Sequence, residues 1–354
     1  HHLKTFLESP DIIDVHSNSW SMQVDEFSTE ARNWNFQKHP LSAVIFEQIK
    51  KTRNGKGRVM LFAAGNRAHS GDEANARVVG KERFVMEVAA TNNRGKSSYY
   101  SNRGTSIFLN APSGGQMYGF GKGFDSENPM LSITTNYGNY KNAFSGTSSA
   151  TPIAAASISL MLEVNHDLTW RDVQYIVACT AQKNDKRHHS WVTNAAGFSH
   201  SRYYGFGRID ADLQQRVAEH FTHVPKEIES ITESDAVHRF APFRQSIDLD
   251  FDVVSDIVFI ESVLIEFNAN ITDFSKLHIT AQSPSGTKVL VKPLTYYVRN
   301  IRPTYPFELL IRSFFGEKAA GKWKFTITSF GPYERFFITS SKVRIYGMNE
   351  QPPA

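Results

Sequence analysis

Over the first two-thirds of the chain, short apolar runs alternate with stretches of helical period, the pattern of a layered α/β fold. Ile12-Ile13-Asp14-Val15, Val59-Met60-Leu61-Phe62-Ala63-Ala64 and Val85-Met86-Glu87-Val88-Ala89-Ala90 read as buried strands. Between the first two, residues 41–49 place apolar side chains at helical spacing, and the order strand, helix, strand predicts a parallel crossover unit. Residues 153–164 and 172–181 are the clearest later helices, with Thr169 and Asp172 forming a capping box that uses a shorter acid. After residue 222 helical periodicity all but disappears. His223-Val224-Pro225-Lys226-Glu227 is a polar connector, and alternating strands follow at Val263–Phe267, Leu277–Ala281, Lys288–Val291 and Trp323–Ile327. Ser283-Pro284-Ser285-Gly286 supplies a hairpin turn between the second and third of these. The pattern predicts a parallel-sheet α/β domain over residues 1–222, a linker at 223–227 and an all-β sandwich over 228–350.

Composition narrows the function classes. The 354 residues are 40% hydrophobic and 21% charged, ordinary for a globular protein and enough for two cores. No run approaches the roughly 18 apolar residues of a membrane-spanning helix. Thirty-nine Lys+Arg against 35 Asp+Glu form no basic stripe, which argues against a nucleic-acid partner; a monomer is expected. The lone Cys179 excludes an intrachain disulfide framework, and its apolar surroundings in the sequence predict a buried small hydrophobe. The chain opens at His1-His2-Leu3 without Met or a signal peptide, so it reads as a fragment.

The strongest chemical signal is Phe144-Ser145-Gly146-Thr147-Ser148-Ser149-Ala150-Thr151-Pro152-Ile153-Ala154-Ala155-Ala156. Small residues let backbone and helix approach closely around Ser148, and Pro152 fits a first helical turn, where its missing N–H costs nothing. Ser148 then sits at a helix N-terminus, where free N–H groups favour a developing anion. A bare Gly-Thr-Ser would be an ordinary helix cap, but this longer run resembles the nucleophile segment of the subtilisin superfamily of serine proteases. Phe62-Ala63-Ala64-Gly65-Asn66 resembles the step where that superfamily places its oxyanion-hole asparagine. Asn18-Ser19-Trp20-Ser21 is similar to the substrate-flanking S-S-W-G strand of the kexin-like, proprotein convertase branch. Leu168–Ile176, Asn194–His200 and Tyr204–Ala211 match the same branch, and the β-rich tail resembles its P domain, most tellingly at Ser283–Thr287 and Phe315–Trp323.

The resemblance implies a subtilisin-like three-layer domain followed by a jelly-roll P domain. It implies a serine endopeptidase with Ser148 as nucleophile, Asn66 as oxyanion donor, and Ser19, Trp20, Ser21, Ala64, Gly65 and Arg77 around the substrate, a protein or peptide. An extracellular or periplasmic location follows from the family. So does structural calcium, for which Asp72 and Asn102 offer hard oxygen ligands. Two departures stand out. The family's triad Asp and His precede the S-W-G strand, and none of the 13 histidines here is followed by Gly-Thr, so the chain is expected to be inactive for want of its amino-terminal part. At the positions where the branch carries acids that select basic residues, an ungapped alignment places Val24 and Arg77; a shifted one leaves Asp25 or Asp72 to serve. The alternative is a non-catalytic pseudoprotease that binds through its β-sandwich.

Overall fold

The computed structural model describes residues 12–20, 49–76, 79–115, 134–136, 139–141, 144–234, 245–270, 274–295, 307–330 and 337–353. Four strands, β1 (Val15–Asn18), β2 (Val59–Ala63), β3 (Val85–Thr91) and β4 (Ile107–Pro112), pair in that order and all in parallel. Strands β2 and β3 are buried along their whole length, as a parallel sheet covered on both faces demands. Alternation assigns the two faces: Val59 and Leu61 join one core, while Met60 and Phe62 join another with Ile49, Phe84 and Val85. Helix α1 (Thr147–Val164) lies against all four strands, and α2 (Trp170–Thr180) and α3 (Ala211–Glu219) pack near it. Two short hairpins, β5 (Thr134–Asn136) with β6 (Asn139–Lys141) and β7 (Trp191–Thr193) with β8 (Ser199–Ser201), complete this part among the described residues.

The remaining strands are β9 (Ile228–Ser234), β10 (Ser246–Val253), β11 (Phe259–Asn270), β12 (Leu277–Gln282), β13 (Lys288–Lys292), β14 (Phe307–Ile311), β15 (Gly321–Ser329) and β16 (Phe337–Met348). They form two antiparallel sheets, β10-β15-β12-β13 and β14-β11-β16-β9. Alternate residues, such as Leu249, Phe251 and Val253 or Trp323, Phe325 and Ile327, meet in one core between them, the architecture of a sandwich.

The junction between the α/β part and the sandwich is continuous. Phe259, Phe315 and Met348 belong to the same core as α1, Phe206 and Val224, and the Phe315 ring lies 5.0–5.1 Å from the rings of Phe198, Phe206 and Phe259. Arg312, 2% exposed, donates to the carbonyls of Arg83 and Val85 at 2.8 and 3.0 Å and lies 4.7 Å over the Phe108 ring. Burial pulls its guanidinium down to about 9, opposed by Glu87 and Glu261, so it stays charged at neutral pH. The connector is docked as well: Asp172 accepts from the Val224 N–H and bonds His223, while Arg171 donates to the Pro225 carbonyl.

Several sequence expectations are corrected. The first strand begins at Val15, because its ladder starts at Val15 against Val59, and Ile12 is 85% exposed ahead of it. Helix α1 starts at Thr147, six residues early, so Pro152 sits inside it rather than in its first turn. Cys179 is exposed on the outer side of α2, although the packed wall behind its thiol raises the pKa to about 11. The capping box is present, with Thr169 accepting from the Asp172 N–H and Asp172 from the Thr169 N–H. Of the helix expected over 41–49, residues 41–48 lie outside the described residues and Ile49 is helical, while Ser21, Val24, Asp25 and Arg77 also lie outside them.

Candidate active site

Asn66 and Ser148 come from different layers, one following β2 and the other opening α1, and Thr147 joins them. The Asn66 Oδ1 accepts from the Thr147 N–H at 2.8 Å and from Thr147 Oγ1 at 2.9 Å, and Thr147 Oγ1 in turn accepts from the Gly65 N–H at 3.1 Å. These donors fix the carboxamide oxygen inward. Its Nδ2 is therefore turned away from them, and it makes no hydrogen bond to a described residue. Gly146, at φ +93°, lets the chain enter the helix against Asn66. A Cβ on residue 146 would lie 3.3 Å from Asn66 Nδ2 and 3.7 Å from the Ser148 backbone nitrogen. The space that glycine leaves free lies near both nitrogens, with Asn66 Oδ1 also at 3.7 Å, and each nitrogen is a donor of the kind an oxyanion takes.

Pro152 has a consequence at Ser148. Four residues upstream lies Ser148, whose carbonyl would normally accept the i+4 N–H that proline lacks. The Ser19 hydroxyl takes that place, donating to the Ser148 carbonyl at 2.8 Å. The Ser148 hydroxyl donates back to the Ser19 carbonyl at 3.1 Å. Ser19 thus holds the first turn of α1 from the end of β1, and Trp20 beside it packs edge-on against Phe62 at 5.7 Å. Ala64 and Gly65 have little backbone to spare: the Ala64 N–H donates to Val88, the Gly65 N–H to Thr147, and the Gly65 carbonyl accepts from Asn102.

Behind the site, the buried Tyr100 hydroxyl accepts from the Gly146 N–H at 2.8 Å and donates to the Gly114 carbonyl, and Ser113 bonds Ser149 and the Gly146 carbonyl. Sequence reasoning passed over Thr147, Tyr100 and Ser113. Thr147 stood inside the quoted run, whereas nothing in the sequence singles out Tyr100. Among the described residues no histidine bonds Ser148. His16, three residues before Ser19, is held at about 4 by burial and by Arg58.

Asp72 and Asn102 are together, but as partners of one another. Asn102 Nδ2 donates to Asp72 Oδ2 at 2.8 Å, and Asn102 Oδ1 accepts from the Arg67 N–H at 2.8 Å. The amide oxygen expected on calcium is engaged by a backbone donor, and no cluster of three His, Cys, Asp or Glu that could hold a metal occurs among the described residues. The pair does not fit a calcium site.

A sequence model of the Subtilase family matches residues 4–207, and one of the proprotein convertase P-domain matches 260–339. The chain is 27% identical, over 99% of its length, to proprotein convertase subtilisin/kexin type 5 of Rattus norvegicus, covering 19% of that protein. It is 32% identical to the human type 7 enzyme over 60% of its length, covering 26% of that protein. The chain therefore spans about a fifth to a quarter of these relatives. The crystal structure of the serine protease of Aeromonas sobria superposes with a TM-score of 0.75 at 19% identity, over 94% of this chain and 71% of that one, a likeness of fold. Among the described residues no helix is long and apolar enough to cross a membrane. With the family match covering more than half of its residues, the chain belongs to the subtilase family, with a proprotein convertase P-domain following.

Proposed function

We propose that the protein is a serine endopeptidase in which Ser148 is the nucleophile and Asn66 Nδ2 with the Ser148 N–H forms the oxyanion hole. The observation that carries this reading is the gap at Gly146 that lies near both nitrogens, with the Asn66 oxygen held by Thr147. In the reaction, Ser148 Oγ attacks the peptide carbonyl while a base removes its proton, and the carbonyl oxygen takes up the new charge at the gap. Collapse of the adduct expels the amine and leaves an acyl-enzyme for water to cleave. The exposed edge at Ser19 and Trp20 is the place for the substrate strand.

These 354 residues hold no histidine in the family's H-G-T setting, so by themselves they are inactive: the Ser148 proton rests on the Ser19 carbonyl. The P domain supports the catalytic unit through the core they share, the boundary lies at 223–227, and the enzyme acts outside the cytoplasm. Val24 and Arg77, in place of acids, point away from a preference for basic residues. No step is assigned to calcium.

The test is peptide hydrolysis by a form of the protein carrying D-x-G and H-G-T upstream, beside the 354-residue chain alone. The longer form is expected to cleave, to lose cleavage on Ser148→Ala, and to lose about 10²–10³-fold in kcat on Asn66→Ala. Cleavage that survives Ser148→Ala overturns the assignment, and Ser148-dependent cleavage by the chain alone overturns its inactivity. A native form without either upstream motif leaves the binding-protein reading in its place.

A further inference from the structure

We propose that a cavity of about 450 Å³ between the loop after Asn66 and the sandwich binds a small amphiphilic carboxylate, one anionic head on a short apolar body. Its lining carries Arg103, Arg202, Asp72 and Glu73 from the α/β part and the apolar Val289, Leu290 and Leu294 from the sandwich. Arg202 is 9% exposed and pairs with Glu73. Arg103 has no such partner. Its guanidinium carbon lies 4.3 Å over the Tyr203 ring, and among the described residues its side chain makes neither a hydrogen bond nor an ion pair. The Nε atoms of both arginines are buried without a hydrogen-bond partner.

The lining holds two guanidinium groups and two carboxylates. Glu73 is taken by Arg202 and Asp72 by the Asn102 amide, which leaves the Arg103 guanidinium as the cation without an anionic partner among the described residues. Desolvated guanidinium groups gain from a planar anion that accepts two N–H bonds, and a carboxylate supplies one negative charge in that shape. The aliphatic part of the lining has nothing to offer a fully hydrated ion such as phosphate, whereas it favours an alkyl or aryl body. The volume falls within the usual range for small-molecule sites.

The experiment is isothermal titration of the full 354-residue chain with hexanoate, octanoate, octanol and inorganic phosphate. Octanoate is expected to bind one-to-one and saturably, about tenfold tighter than hexanoate given roughly three- to fourfold per buried methylene, with octanol and phosphate far weaker. Arg103→Gln is expected to weaken octanoate at least tenfold. Leu290→Glu, which sets a like charge in the lining of the cavity, does the same and stands in should Arg103→Gln fail to fold. Absence of saturable octanoate binding, equal binding of octanol, tighter binding of phosphate, or indifference to whichever of these variants folds overturns the proposal. None of these outcomes bears on the hydrolase reading, because neither residue lies at Ser148.

Discussion

Replacing Phe315 by alanine tests whether the α/β part and the sandwich stand or fall as one unit. The side chain is 4% exposed and packs edge-on against Phe198, Phe206 and Phe259 at 5.0–5.1 Å. Two of these rings belong to the α/β part and one to β11. A buried phenylalanine removes about 150–250 Å² from water, about 4–6 kcal/mol at 25 cal/mol per Å², and Phe→Ala substitutions in cores cost about 3–5 kcal/mol. At about 2.1 cal/mol/K per residue, cooperative melting of all 354 residues has an unfolding entropy of about 0.7 kcal/mol/K. The same loss then lowers a single Tm by about 4–7 °C. A sandwich of about 120 residues melting alone would have only about a third of that entropy, and its own transition would fall by about 12–20 °C. Differential scanning calorimetry separates the two. The shared core predicts one transition moved by the smaller amount, with both parts becoming protease-sensitive together. Two transitions, with only the sandwich shifted, would refute the reasoning.

Acid should loosen the same junction. His200 is buried, with Nε2–H donating to the Ile107 carbonyl at 2.9 Å and Nδ1 accepting from Ser313 Oγ at 2.9 Å. Burial holds it down to about 4 from 6.5. The unfolded chain therefore binds the proton first: the stability from neutral His200 is whole above pH 6.5 and is lost as pH falls to 4, about 3 kcal/mol in all. Denaturant midpoints from pH 7 to 4 should fall less steeply in His200→Gln than in the wild type, and parallel curves would count against the assignment. At the site, Gly146→Ala sets a methyl in the gap beside Asn66 Nδ2 and forces a φ of +93° on an L-residue. Affinity for a peptide boronic acid, whose tetrahedral adduct needs that gap, should drop at least tenfold; unchanged affinity would place the oxyanion elsewhere.

Local pattern carried the buried strands β2 and β3, the alternation in β15 and the Thr169–Asp172 cap, because each is set by neighbours within a few residues. The errors arose where distant groups decide. Helix α1 reaches back to Thr147 because Asn66, 81 residues away in sequence, accepts the Thr147 N–H, so Pro152 ends up inside the helix. Cys179 looked buried from its neighbours, yet the helical turn carries it outward from Val173, Ile176 and Val177, which face the core. At the candidate site, Ser148 and Asn66 were legible through their resemblance to a known segment. The hold of Thr147 on Asn66 and of Ser19 on Ser148 was not, since each joins parts of the chain that no local window contains. Arg312 gave no sign at all of its place between the Arg83 and Val85 carbonyls.

The two hydrogen bonds between Ser19 and Ser148 span 129 positions of sequence. Closing so long a loop is entropically unfavourable until intervening contacts have formed. During synthesis, then, Ser148 emerges long after Ser19, on a helix whose opening turn leaves one carbonyl without a donor until the end of β1 is in place. A chain in which β1 has not docked on α1 carries the serine without its setting.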